Sequence, residues 1–290
     1  GRDFDVLLES VGATNVNGTT SYDRTNYFET VPRDQLDMVL WIESDRMGYL
    51  LDVLDQGLLD VQRDVVKNER RQSYDNAPYG PSYLALVEAL FPPGHPYNGA
   101  VIGSMTDLSA ATLDDVKGFF KDYYTPSNAT LAVVGDFETE AVKASIQTYF
   151  GSLANRPKKA TPEIKAPPAR FGRYVVEEPV EVAQVTFGYR TPPAYTTDEP
   201  IVDVAMQLLA GGKATRLYQT LVVEKKLASE VNASQDSNQL SGLVTVGATA
   251  ATGRTVAELE SALGEALTKL EKGGPTPVEL ERSKRRILMS

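Results

Sequence analysis

Apolar positions along the chain fall into short blocks whose period changes from block to block. Phe4, Leu7, Leu8 and Val11 recur at three and four, which predicts a helix with one apolar face. No capping residue precedes it, so it reads as the later turns of a longer helix. From Gly12 to Val31 the helical period is lost among Thr, Asn and aromatic residues, predicting a strand pair that bends near Asp23. Three helical stretches follow Pro32. The first carries Leu36, Val39, Leu40, Met47 and Leu50 on its apolar face; the others run from Gln56 to Tyr74 and from Pro81 to Phe91. The run Pro92-Pro93-Gly94-His95-Pro96 is loop.

Thr112 caps a helix with Leu113, Val116, Phe120 and Tyr123 inward, and Ala129 to Val134 predicts a buried strand. Val142, Ile146, Tyr149 and Phe150 mark a helix that Gly151 ends. Pro157, Pro162, Pro167 and Pro168 then stand among basic residues and predict a linker. Beyond it, Val185, Phe187 and Tyr189 alternate as a strand, Asp198-Glu199-Pro200 opens a helix, and Leu217 and Leu221 face inward from a short one. Ala228 to Gln235 and Leu240 to Ala250 form a second strand pair. Val256, Leu259, Leu263 and Leu270 mark a helix closed by Gly273-Gly274. Thr276-Pro277-Val278-Glu279 is a capping box opening a last helix that shows no stop signal before Ser290.

Strands neighbour one another without obligatory helical crossovers. The expected fold is therefore α+β, with repeated αβ units, mainly antiparallel sheets flanked by helices, and truncation at both ends. The boundaries are 1–151 for the first unit, 152–173 for the linker and 174–290 for the second unit. A weak internal repeat supports this: a strand pair, helix, connector and helix containing Arg63 recur with Arg282 in the same place, 219 positions later.

Composition narrows the function classes. The 290 residues are 42% hydrophobic and 23% charged, enough for two buried cores. A net charge of -10 argues against a nucleic-acid partner. No segment approaches the ~20 apolar residues of a membrane span. Zero cysteines remove disulfides and thiolate metal sites.

The helix from Leu58 to Arg70 carries the most pointed signal. Leu58, Val61 and Val65 step by three and four toward an expected core, and the next member of the series is Glu69, with Gln62 two turns before it. A core-facing carboxylate must be paired, protonated or bound to a metal. The alternative is a helix end reaching solvent, with Glu69 satisfied by Arg70 or a nearby Lys. A zinc site needs three or four His, Cys or carboxylate ligands, and this chain has no Cys and one His, His95, which reads as a turn residue. Any zinc bound by Glu69 would take its histidines from outside the 290 residues. Gly211-Gly212-Lys213-Ala214-Thr215 reads as a helix stop and restart and not as a phosphate loop, and nothing supports a Ser-His-Asp arrangement.

Several segments resemble the insulinase/pitrilysin-type (inverzincin) zinc metallopeptidases, in family order. Asn17-Gly18-Thr19-Thr20 through Thr25-Asn26-Tyr27-Phe28 resembles their Asn-Ala-x-Thr strand pair, and Ser44-Asp45-Arg46-Met47 their Ala-Asp-Arg-Met helix. Val65-Val66-Lys67-Asn68-Glu69-Arg70-Arg71 resembles the helix ending in the third zinc ligand. Pro78-Tyr79-Gly80, His95-Pro96-Tyr97, Ile102-Gly103, Tyr123-Tyr124 and Val134-Gly135-Asp136 follow.

The resemblance implies a zinc-dependent endopeptidase that cuts peptides or unfolded segments inside a closed chamber. It makes Glu69 a Zn2+ ligand, with both histidines and the general-base Glu in a His-x-x-Glu-His motif about eight to twelve residues before Gly1. Gln62 stands where the family has a further acid, and its expected role is hydrogen bonding around the metal site. Asn17, Gly18, Thr19 and Thr20 match the edge strand on which substrate peptide is laid, with Gly in place of the usual Ala. Val222 and Ser229 replace the Arg and Tyr that the family's partner half presents to substrate, which implies a separate homologous half, fused or not. The wording of the motifs implies a bacterial, periplasmic or otherwise extracytoplasmic setting. The competing reading is a non-catalytic homologue acting as a scaffold or peptide-binding partner subunit.

Overall fold

In chain order the helices and strands are α1 (Phe4–Ser10), β1 (Thr14–Thr20), β2 (Thr25–Thr30), α2 (Leu36–Val53), α3 (Gln56–Arg70), α4 (Gly80–Leu90), α5 (Met105–Ala110), α6 (Leu113–Tyr123) and α7 (Thr139–Phe150). After these come β3 (Gln184–Thr191), α8 (Glu199–Ala210), β4 (Ala228–Asp236), β5 (Gly242–Ala250), α9 (Val256–Gly273) and α10 (Pro277–Met289). The computed structural model describes residues 4–160, 164 and 171–289. Both sheets are antiparallel, a β1-β2 hairpin and a three-stranded sheet ordered β3-β5-β4, and the fold is α+β as expected. The order β1-β2-α2-α3 recurs as β4-β5-α9-α10. Part of the predicted linker, 161–163 and 165–170, lies outside the described residues.

The chain divides into two compact units. One contains Gly1–Arg70 with Val101–Glu163, the other Arg71–Ala100 with Ile164–Ser290. The segment 71–100, expected with the first unit, is thus grouped with the second.

In the first unit Leu8, Val39 and Ile42 form a core between α1 and α2, with Phe4, Leu7, Ala13, Val31 and Met38 against it. α7 packs on α2. Gly48 allows this approach, since a Cβ there would stand 2.5 Å from Leu153 Cδ2. The α6 cap forms as its sequence dictates: Asp115 N donates to Thr112 Oγ1 at 3.2 Å and Asp115 Oδ2 accepts from Thr112 N at 2.9 Å. The stretch from Ala129 to Val134 departs from expectation. It is not a strand, and Val134 is 95% exposed. A strand needs a ladder as well as apolar residues, and neither sheet includes this stretch.

In the second unit β5 is the central strand and is buried along most of its length. Val185, Leu209, Leu217, Leu221, Val244, Val246, Leu259 and Leu263 form the main core. The 71–100 segment is bound into this unit by specific contacts. Glu178 accepts from Tyr79 N at 2.8 Å and from Ser82 N at 3.1 Å, satisfying amides at the start of α4, and Tyr79 Oη donates to Val182 O at 2.9 Å. Phe91, His95 and Tyr97 are buried together, and Tyr97 Oη accepts from Leu240 N at 2.9 Å.

Candidate functional site

Helix α3 is amphipathic on two flanks, and the flank that packs is not the one its aliphatic spacing suggests. Leu59 is buried and Val66 half-buried against the α5 side. Arg63 lies on the same flank, donating to Asp60 Oδ1 at 2.6 Å and through Nη2 to Ala111 O at 2.5 Å, and Arg70 Nη1 donates to Gly103 O. The stripe expected inward faces outward instead: Leu58 is 53% exposed, Val61 66% and Val65 51%. Arginine stems and guanidiniums reaching for backbone carbonyls have taken the packed side. Gln62 and Glu69 lie on the exposed side with the stripe.

Glu69 is the penultimate residue of α3. The helical backbone continues from there into a π-helical turn over Arg71–Asp75.

The second candidate group lies on β1. Every residue from Thr14 to Thr20 is exposed, and β2 is the one strand with which β1 pairs among the described residues. Its other edge carries no strand among the described residues, the geometry that accepts an added strand. Asn17 turns its side chain back on the strand, with Oδ1 accepting from Gly18 N at 2.8 Å. At the hairpin end Thr20 and Thr25 hydroxyls meet at 3.4 Å. α3 packs chiefly on α5, and β1 on β2 and α1, so the two candidate groups occupy separate elements of one unit.

Beneath the hairpin stands a polar aromatic cluster. Tyr27 lies directly across from Gly18, its hydroxyl 2.6 Å from Tyr124 Oη, with the Arg46 guanidinium 4.3 Å from its ring centroid. Arg46 pairs with Glu43 at 2.9 Å. Burial, and next the charge of Glu43, push the Glu29 carboxyl above its ordinary range, while Arg46 pulls it back. Burial, with the Tyr27 hydroxyl next in weight, also raises the Tyr124 phenol. Tyr27, Arg46 and Tyr124 were each visible in the sequence, but their convergence depends on the hairpin, α2 and the end of α6 meeting in space.

These residues do not by themselves hold a zinc ion. Among the described residues no group of three or more His, Cys, Asp or Glu is placed to bind a metal. His95 is engaged elsewhere, stacked on Phe91 with Nδ1 accepting from Tyr97 N at 3.0 Å. Glu69 can supply one ligand of the three or four a zinc site requires. No helix among the described residues is long and apolar enough to cross a membrane.

Comparison with known proteins places these features in context. Residues 110–287 match the family described as "Peptidase M16 inactive domain". The chain is 32% identical over 286 residues to zinc protease PqqE of Helicobacter pylori, covering 97% of this chain and 64% of that protein. The crystal structure of a protease from Helicobacter pylori superposes with a TM-score of 0.90 at 31% identity, over 99% of this chain and 69% of that one. A peptidase M16 inactive domain from Pseudomonas fluorescens shares the fold, with a TM-score of 0.85 at 21% identity over 100% of this chain and 70% of the other. The matched family stretch leaves residues 1–109 outside it, and these include Asn17–Thr20, Gln62 and Glu69.

Proposed function

Since the chain belongs to the M16 peptidase family, we propose that it forms part of a zinc-dependent endopeptidase, with Glu69 a metal ligand and β1 the seat of the peptide. The outward face of α3 carries this reading. An exposed carboxylate stands at the end of an exposed aliphatic stripe, Leu58-Val61-Val65, and such a stripe is a surface for another element to cover. A carboxylate at the margin of that cover calls for a cationic partner. The chain spans 64% of the PqqE relative's length, so the proposal assigns the two histidine ligands and the general base to residues outside these 290. Zinc in such a site would supply Lewis-acid activation. Gln62, on the same face, would hydrogen-bond to the ligand set. A homologous second half would close the chamber around a peptide substrate, and the extracytoplasmic setting belongs to the same reading.

A second reading is favoured by two observations: residues 110–287 match a domain described as inactive, and Gln62 is uncharged where the resembling family has an acid. On that reading the protein is a peptide-holding partner without catalysis. Glu69→Gln in the full-length protein separates the two. Zinc content and peptidase activity should fall together; retention of both overturns the metal role, and a full-length wild-type protein lacking zinc and activity establishes the second reading.

A further inference from the structure

The sequence contains two Asn-Gly steps, Asn17-Gly18 in β1 and Asn98-Gly99 in the loop after α4. Glycine has no Cβ beside its amide nitrogen, so that nitrogen approaches a neighbouring side chain with least hindrance. The fold treats the two steps differently. At Asn17 the side chain folds back along the strand, and Gly18 N donates to its Oδ1 at 2.8 Å. The carbon bonded to that oxygen is Cγ, so the electrophile and the nitrogen that can attack it are already neighbours. Asn17 Nδ2 has no hydrogen-bond partner among the described residues, and every residue of β1 is exposed. The ladder is also irregular just before this point, with a register shift between Thr14 and Asn17 and a φ of 54° at Asn15. At Asn98 the amide is tied down. Its Nδ2 donates to Phe91 O at 2.5 Å and its backbone N to His95 O at 2.9 Å. Phe91, His95 and Tyr97 beside it are buried, so this turn reshapes only if the core opens.

We infer that Asn17 is a site of spontaneous deamidation, and that the fold directs this modification there and away from Asn98. Solvent base removes the Gly18 amide proton and the nitrogen forms a bond to Asn17 Cγ. The Cγ–Nδ2 bond then breaks, and Nδ2 leaves as ammonia. The cyclic succinimide takes up one water: opening at Cγ gives an aspartyl residue, and opening at the main-chain carbonyl gives an isoaspartyl one. Water is the only co-reactant consumed, and nothing is oxidised or reduced. Either product adds one negative charge to the chain's -10. The isoaspartyl form also lengthens the main chain by a methylene between positions 17 and 18. That pushes Gly18, Thr19 and Thr20 out of register with Tyr27, Asn26 and Thr25. A charge on an open strand edge opposes the addition of a further strand. The modification therefore blunts this edge as the protein ages.

The test needs neither zinc nor catalysis. Full-length protein is aged in mildly alkaline buffer made with isotopically labelled water, and peptide mapping by mass spectrometry follows each asparagine over weeks. Asn17 should convert at least about tenfold faster than Asn98, with solvent oxygen in the new carboxylate and separable aspartyl and isoaspartyl products. Unfolding in guanidinium chloride should bring the two rates to within about threefold, since the folded geometry is what separates them. Gly18→Ala should slow conversion of Asn17 by about tenfold or more and leave Asn98 unchanged. The added Cβ would stand 3.4 Å from Tyr27 Cδ1, an ordinary contact, so this variant keeps the hairpin. Conversion of Asn98 at an equal or higher rate in the folded protein overturns the inference. So does an Asn17 rate no greater than that of Asn15 or Asn26, each of which precedes a bulky residue. A rate ratio that survives unfolding also overturns it, because local sequence and not the fold would then be the cause.

Discussion

Arg216 and Glu279 form a two-pronged ion pair: Nε donates to Oε1 and Nη2 to Oε2, each at 2.8 Å. Arg216 Nη2 also donates to Gly274 O at 2.8 Å, and Glu279 Oε2 accepts from Thr276 N at 2.8 Å. One side chain thus closes the first turn of α10 and fastens that turn to the segment after α8. Both partners are mostly shielded from solvent. The bond to Arg216 is the main cause that holds the Glu279 carboxyl at about 2, below its ordinary 4.5.

Because the folded state depresses this pKa, the pair's contribution is complete above pH 4.5 and is lost as pH falls toward about 2. Glu279→Gln should lower unfolding free energy at pH 7 by about 1–3 kcal/mol. The deficit should shrink as wild type is titrated through that window, as read by urea unfolding at several pH values. A deficit independent of pH would show that the ion pair contributes little.

His95 shares the sign of this pH dependence but owes it to a different cause. Burial, with Arg190 adding to it, lowers the pKa of its imidazole below the ordinary 6.5. The neutral ring is the folded form, so its contribution is present above pH 6.5 and declines as pH drops below it. His95→Ala should cost about 2–4 kcal/mol through lost packing with Phe91 and Tyr97, and should leave the zinc content of the full-length protein unchanged. A loss of zinc would make His95 a ligand and refute its assignment to the core.

Glu29 is destabilised by its own ionisation, since burial and Glu43 raise its pKa from 4.5. The protonated form favours the folded state, so stability at this site declines as pH rises above 4.5. Glu29→Gln should raise the melting temperature at pH 7, with the gain fading toward pH 4. A lower melting temperature at pH 7 would mean that its attraction to Arg46 outweighs desolvation.

Gly80 starts α4 where the backbone of Tyr74 passes. An added Cβ would stand 2.8 Å from Tyr74 C and 2.9 Å from its Cα, and would overlap Tyr74 O. Backbone cannot rotate away as a side chain can, so Gly80→Ala should destabilise by more than about 2 kcal/mol. Thermal unfolding monitored by circular dichroism reads this directly, and a shift under one degree would show that the turn relaxes freely.

Residues 1–290 alone should bind no zinc stoichiometrically in competition with a micromolar chromogenic chelator, since they hold no cluster of three ligands among those described. Tight one-to-one binding would place the missing ligands inside the chain.

Local signals carried most of the secondary structure. The boxes at Thr112–Asp115 and Thr276–Glu279 form with the expected partners, and the alternation of Val185, Phe187 and Tyr189 marks β3. Two features were not legible for physical reasons. Which flank of α3 packs was decided by Arg63 and Arg70 finding carbonyls of Ala111 and Gly103, and a backbone acceptor leaves no trace in residue identity. Ala129 to Val134 looks like a strand by propensity, but pairing is a property of neighbours distant in the chain. The candidate site divides the same way. Glu69 and β1 could be named from sequence, whereas the cluster beneath the hairpin depended on three elements converging on Tyr27.

The grouping of Arg71–Ala100 with the distal part of the chain gives folding a timetable. On the ribosome α4 is synthesised long before Glu178, the carboxylate that receives its first amides, and before Leu240, which donates to Tyr97. The α4 amides and the Tyr97 hydroxyl therefore lack these partners until the later stretch has been made. Expression of residues 1–151 by themselves would leave the first amides of α4 without Glu178 and Tyr97 without Leu240, because the boundary that the chain's spacing suggests is not the one its contacts obey.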